Sequence, residues 1–114
     1  MEPPSPKAAQ PGLTAALDRL WARFLPEIRE RVTVIESAVK ALATGPLSAE
    51  QRDAAASAAH KLAGVLGTFS LARGTELARK LELRFSDVTD SAPDSAPRLA
   101  SIAVELRSLI ESRK

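Results

Sequence analysis

Apolar residues recur three and four positions apart in one segment of this chain after another, a period that packed α-helices satisfy and strands do not. The pattern holds at Leu13, Ala16, Leu17, Leu20, Trp21, Phe24 and Leu25, and again at Ile28, Val32, Ile35, Val39 and Leu42 with Ala38 beside them. It returns at Leu71, Leu77, Ala78, Leu81 and Phe85, and at Leu99, Ile102, Ala103, Leu106, Leu109 and Ile110. Each set falls on one helix face. The β-branched run from Val32 to Ile35 is short and lies inside a helical pattern, so no strand is expected.

Punctuation divides the pattern into helices over residues 13–25, 26–44, 48–66, 70–85 and 97–112. Pro26 restricts Leu25 and predicts a break or a new first turn there. Gly45-Pro46 is a stop. Ser48 followed by Gln51 is a capping box, with Leu47 before it as a hydrophobic staple. Gly67-Thr68 predicts a turn, and residues 86–97, rich in proline, aspartate and serine, predict a loop. Trp21 and Phe24 are expected to cap one end of the core. Pro3, Pro4, Pro6 and Pro11 make residues 1–12 a flexible proline-rich tail. The expected architecture over residues 13–114 is all-α, an antiparallel four-helix bundle with a short additional N-terminal helix.

Composition removes several function classes. The 114 residues suffice for one core. With no cysteine there is no disulfide, thiolate ligand or thiol nucleophile, and the single histidine argues against a zinc site. The 16 basic and 14 acidic residues are interleaved, which does not suggest a nucleic-acid surface. No apolar run has the length of a membrane span and no signal peptide is visible, so the chain is expected in the cytoplasm, away from membranes.

The remaining segment holds that histidine, His60. Positions three, four and seven away carry Asp53, Ala56, Ser57, Ala63, Gly64 and Gly67, all small, while Ala55, Ala58, Ala59, Leu62, Leu66 and Phe69 form the opposite, apolar face. A small face suits either close packing on another helix, making His60 a buried core histidine, or the approach of a partner to an exposed imidazole. Asp53 lies two helical turns away, about 10 Å, too far to orient the ring. Ser57 alone makes no hydrolase, so an independent enzyme is not supported. An exposed imidazole is nevertheless a nucleophile near neutral pH. To carry a phosphoryl group it needs access for a donor, a nearby cation such as Lys61, and a donor that brings its own metal and electrostatics.

The string His60-Lys61-Leu62-Ala63-Gly64-Val65-Leu66-Gly67-Thr68-Phe69, followed by Leu81-Glu82, resembles the histidine-containing phosphotransfer (HPt) domain of bacterial two-component phosphorelays. The resemblance implies a phosphorelay intermediate that accepts a phosphoryl group on His60 and exchanges it with the aspartate of a receiver domain in a response regulator or hybrid histidine kinase. It implies a carrier rather than an enzyme, a monomer without cofactor of its own, with Mg²⁺ on the partner receiver. Lys61 would screen the phosphate, and Asp53, Ala56, Ser57, Ala63, Gly64 and Gly67 would form the receiver-docking floor. Three positions depart from the family pattern: Ala63 stands where many members have lysine, Val65 where a small polar residue is common, and Ser70 where glycine follows the apolar position. The alternative is a non-catalytic helical module that docks a receiver or kinase without phosphotransfer; a basic nucleic-acid binder would instead lose affinity steeply with salt.

Overall fold

A computed structural model describes residues 11–87 and 93–113. Four helices carry the fold: α1 (Pro11–Thr44), α2 (Ala49–Thr68), α3 (Ala72–Ser86) and α4 (Ala96–Ser112), the last entered through a 3₁₀ turn at Pro93–Ser95. No strand occurs among the described residues. α1 packs on α2, α2 on α3, α3 on α4, and α4 back on α1, which closes an antiparallel bundle. None of the described helices is long and apolar enough to cross a membrane.

The separate N-terminal helix does not exist. α1 runs through Pro26, which costs one backbone hydrogen bond but leaves the helix continuous. The reason lies in the apolar stripe. Trp21, Leu25, Ile28, Val32, Ile35, Val39 and Leu42 alternate spacings of four and three without a change of phase across Pro26, so one straight face serves both halves. Pro26 itself is exposed, where the unpaired carbonyl one turn earlier can be solvated. At about 50 Å, α1 is far longer than its neighbours, and its first turns leave Leu13 and Leu20 exposed. The proline-rich tail lies outside the described residues up to residue 10; Pro11 and Gly12 already belong to α1. Residues 88–92 of the expected loop also lie outside them.

Ile28, Val32, Ile35, Leu42, Leu62, Leu66, Leu77, Leu81, Leu99, Leu106 and Ile110 are fully buried and form the axis of the core. Burial of a side chain of this size contributes about 1.5–3 kcal/mol. One end of the core is closed as expected by Trp21, but its partner is Phe69, edge-on at 5.2 Å between ring centroids; Phe24 is exposed. The Arg113 guanidinium lies 4.9 Å from the Trp21 ring and 5.2 Å from the Phe69 ring, and pairs with Asp18 at 3.3 Å. Bidentate arginine–carboxylate pairs join α4 to its neighbours: Arg107 with Glu36, Arg29 with Glu111, and Arg73 with Glu105.

The α2–α3 connection fixes the register that matters most. α2 starts on the expected capping box, Ser48 Oγ accepting from the Gln51 N–H at 3.1 Å and Gln51 Oε1 from the Ser48 N–H at 2.9 Å. It does not stop at Gly67. The helix continues to Thr68, and the reversal is made by Ser70, which takes a left-handed conformation (φ 59°). The Leu71 N–H then donates to the Leu66 carbonyl at 2.9 Å and the Ser70 N–H to the Gly67 carbonyl at 3.1 Å, satisfying the end of the helix.

Candidate functional site

His60 sits in the second half of α2, and its side chain is 72% exposed. The buried-histidine reading is thereby excluded. The apolar residues of α2 decide this: Ala55, Ala58, Ala59, Leu62, Leu66 and the adjoining Phe69 are all buried, and they leave His60 on the outer face.

The imidazole is held. Its Nδ1 lies 2.9 Å from Oε2 of Glu82, a half-buried side chain on α3. An ionised carboxylate has only acceptor atoms, so Nδ1 carries the proton of the neutral ring and donates it. The lone pair is then on Nε2, which makes no hydrogen bond to the described residues and faces outward. Glu82 is the contact of His60 that spacing along α2 could not reveal, since it comes from the next helix. A signal for it exists: His60 and Glu82 are equidistant along the chain from Leu71, the hinge of an antiparallel pair, as are Gly67 and Thr75. The structure brings the second pair together too, a Cβ placed on Gly67 lying 3.8 Å from Thr75 Oγ1.

The expected docking residues divide. Asp53, Ser57, Gly64 and Gly67 are exposed on the same outer side of α2 as His60, and Ala56 is half-buried. Ala63 does not belong with them. At 3% exposed it is part of the core, because it turns toward α3 rather than toward solvent. Lys61 is exposed on the other flank, where with Ser57 it lines a groove shared with Glu27, Glu30 and Arg31 of α1.

The glycines separate by cause. A Cβ on Gly74 would come within 3.1 Å of Leu66 Cδ1, so that glycine serves the contact between α3 and the core. A Cβ on Gly64 would meet nothing within 4 Å. Glycine in a helix interior costs about 1 kcal/mol against alanine, and at position 64 no intramolecular contact repays it.

The family model of the Hpt domain matches residues 19–114. A curated relative, "Protein RcaC" of Microchaete diplosiphon, is 30% identical over 106 residues, a match covering 93% of this chain and 16% of that protein. The chain therefore spans about a sixth of the length of the relative that it matches. No solved structure matches it. The four-helix architecture, the exposed histidine at the centre of the matched region and the family match agree: this chain belongs to the Hpt-domain family, whose role is phosphotransfer in phosphorelays.

Proposed function

We propose that His60 is the phosphoacceptor of a phosphorelay intermediate and exchanges its phosphoryl group with the aspartate of a receiver domain. The observation that supports this most is the state of the imidazole: exposed, oriented through Nδ1 by Glu82, and open at Nε2 beside a glycine whose missing side chain the fold itself does not require.

In the forward step the Nε2 lone pair attacks phosphorus of the receiver's aspartyl phosphate. The N–P bond forms as the acyl P–O bond breaks, and the bonding pair leaves with the aspartate carboxylate. The ring becomes positively charged with its proton still on Nδ1, and the Glu82 carboxylate beside that proton balances the charge. That proton stays on Nδ1 against Glu82, and the reverse sequence returns the phosphoryl group. Among the described residues no three histidine or carboxylate groups converge to hold a metal ion. The divalent cation that assists phosphoryl transfer would come with the receiver. Asp53, Ser57, Gly64, Gly67 and the half-buried Ala56 form the low crest on which the receiver would sit.

The test is incubation with a phosphorylated receiver. An acid-labile, base-stable label that is absent in His60→Gln supports the reading. A His60→Gln chain that binds the receiver and signals as well as the unaltered one would favour docking without phosphotransfer.

A further inference from the structure

We propose that Arg79, reaching across from α3, is the cation that holds the phosphoryl group on His60, in place of the lysine absent at position 63. This rests on His60 being the phosphoacceptor and assigns a residue to that same site.

A phosphoryl group brings close to two negative charges and three strong acceptor oxygens. Here it would arrive beside the Glu82 carboxylate, which already stands 2.9 Å from the ring. A cation is needed to offset both, and Ala63 is a buried methyl group. The packing of α2 on α3 shows what stands opposite. His60 meets Glu82, and Gly67 faces Thr75. Between these two contacts, the same antiparallel register sets Arg79 level with Ala63 and Gly64. Arg79 lies one turn before Glu82 on α3, about 4.5 Å along the axis. It belongs to the flank of α3 that carries Thr75 and Glu82, whereas Arg73 on the opposite flank is tied to Glu105 of α4.

Arg79 is also uncommitted. It is exposed and makes no ion pair or hydrogen bond among the described residues, while Lys80 beside it pairs with Glu76. The space it borders is open, since a Cβ on Gly64 meets nothing within 4 Å. Lys61 is less well placed. It lines a groove on the α1 side of α2 together with Glu27, Glu30 and Arg31, away from the α3 flank that Glu82 approaches from. Arginine also suits the task chemically, presenting paired N–H donors to phosphate oxygens.

The experiment uses phosphoramidate, a small donor that releases ammonia as the N–P bond to His60 forms, so no receiver surface enters the result. Labelling rate and lifetime are followed by phosphorus NMR in the unaltered chain, Arg79→Gln, Arg79→Lys and Lys61→Gln, with helical content checked by circular dichroism. The expected result is a loss of about three- to tenfold in labelling rate for Arg79→Gln, as for one exposed charge-assisted hydrogen bond, substantial recovery in Arg79→Lys, and less than a twofold effect of Lys61→Gln. Labelling of Arg79→Gln within twofold of the unaltered chain, or a larger loss in Lys61→Gln, overturns the assignment to Arg79 and leaves the phosphoacceptor reading intact. An unaltered chain that takes no label overturns both.

Discussion

Glu82 Oε2 accepts a hydrogen bond from His60 Nδ1 at 2.9 Å, and this one contact from α3 leaves Nε2 as the open nitrogen of the exposed ring. Glu82→Ala frees the ring to rotate and to exchange tautomers, and is expected to slow labelling of His60 by a phosphorylated receiver about tenfold, the usual weight of a hydrogen bond to a charged group. Glu82→Gln keeps an acceptor oxygen and loses only the charge, so it should fall between Ala and the unaltered chain. Equal rates for all three would show that the contact does not orient the ring.

Gly64 and Gly74 should respond differently to the same substitution. Gly64→Ala adds a methyl group to open space in a helix interior and is expected to stabilise the fold by about 0.5–1 kcal/mol while slowing transfer from a receiver. Gly74→Ala puts a Cβ 3.1 Å from Leu66 Cδ1, so the fully buried Leu66 must shift by a few tenths of an ångström; that crowding offsets the helix-propensity gain, and less stabilisation than for Gly64→Ala is expected. Denaturant midpoints of the two variants check this.

Ser70 holds a backbone conformation that favours glycine. Ser70→Gly removes the strain of a left-handed residue, partly offset by the greater freedom of glycine in the unfolded chain. A net gain of about 0.5–1 kcal/mol is expected, read as a rise in Tm; Ser70→Val should lower it.

Much of this fold is legible before any coordinates. The three-four stripes name nearly every core residue, because a helix has only one way to bury residues at that spacing. The capping box at Ser48 and Gln51 is local chemistry and forms as written. Pro26 misleads because a proline rule is local, while the uninterrupted phase of the stripe from Trp21 to Leu42 is the stronger constraint. Gly67 misleads in the same way: the chain reverses at Ser70, a residue with no turn signal of glycine strength. At the site, His60 and the small crest around it are visible from spacing on one helix. Glu82 and Arg79 are not, because they depend on how two helices register. Ala63 is misplaced because three residues along a helix turn the side chain far enough to cross from the crest into the α2–α3 contact.

Acid should weaken the α1–α4 contact. The Arg107 guanidinium, hydrogen-bonded to Glu36 at 2.7 and 2.8 Å, holds the Glu36 carboxyl below its ordinary value of 4.5, with Lys40 adding to the effect. A carboxyl lowered in the folded state contributes stability above its unfolded pKa and loses it as the pH falls through the folded one. Stability is therefore expected to be level above about pH 5.5 and to decline below the ordinary value. Both side chains are one-third exposed, so after screening the pair contributes about 1 kcal/mol or less. Glu36→Gln should cost that amount at pH 7 and flatten the decline, measured as denaturation midpoint against pH.

The most direct measurement is nitrogen–phosphorus NMR of the chain after exposure to a phosphorylated receiver, with the histidine isotopically labelled. A single phosphoryl group coupled to Nε2 of His60, with Nδ1 still bearing the proton that faces Glu82, is the predicted result. A phosphoryl group on Nδ1, or a chain that binds the receiver yet never acquires one on His60, would contradict it.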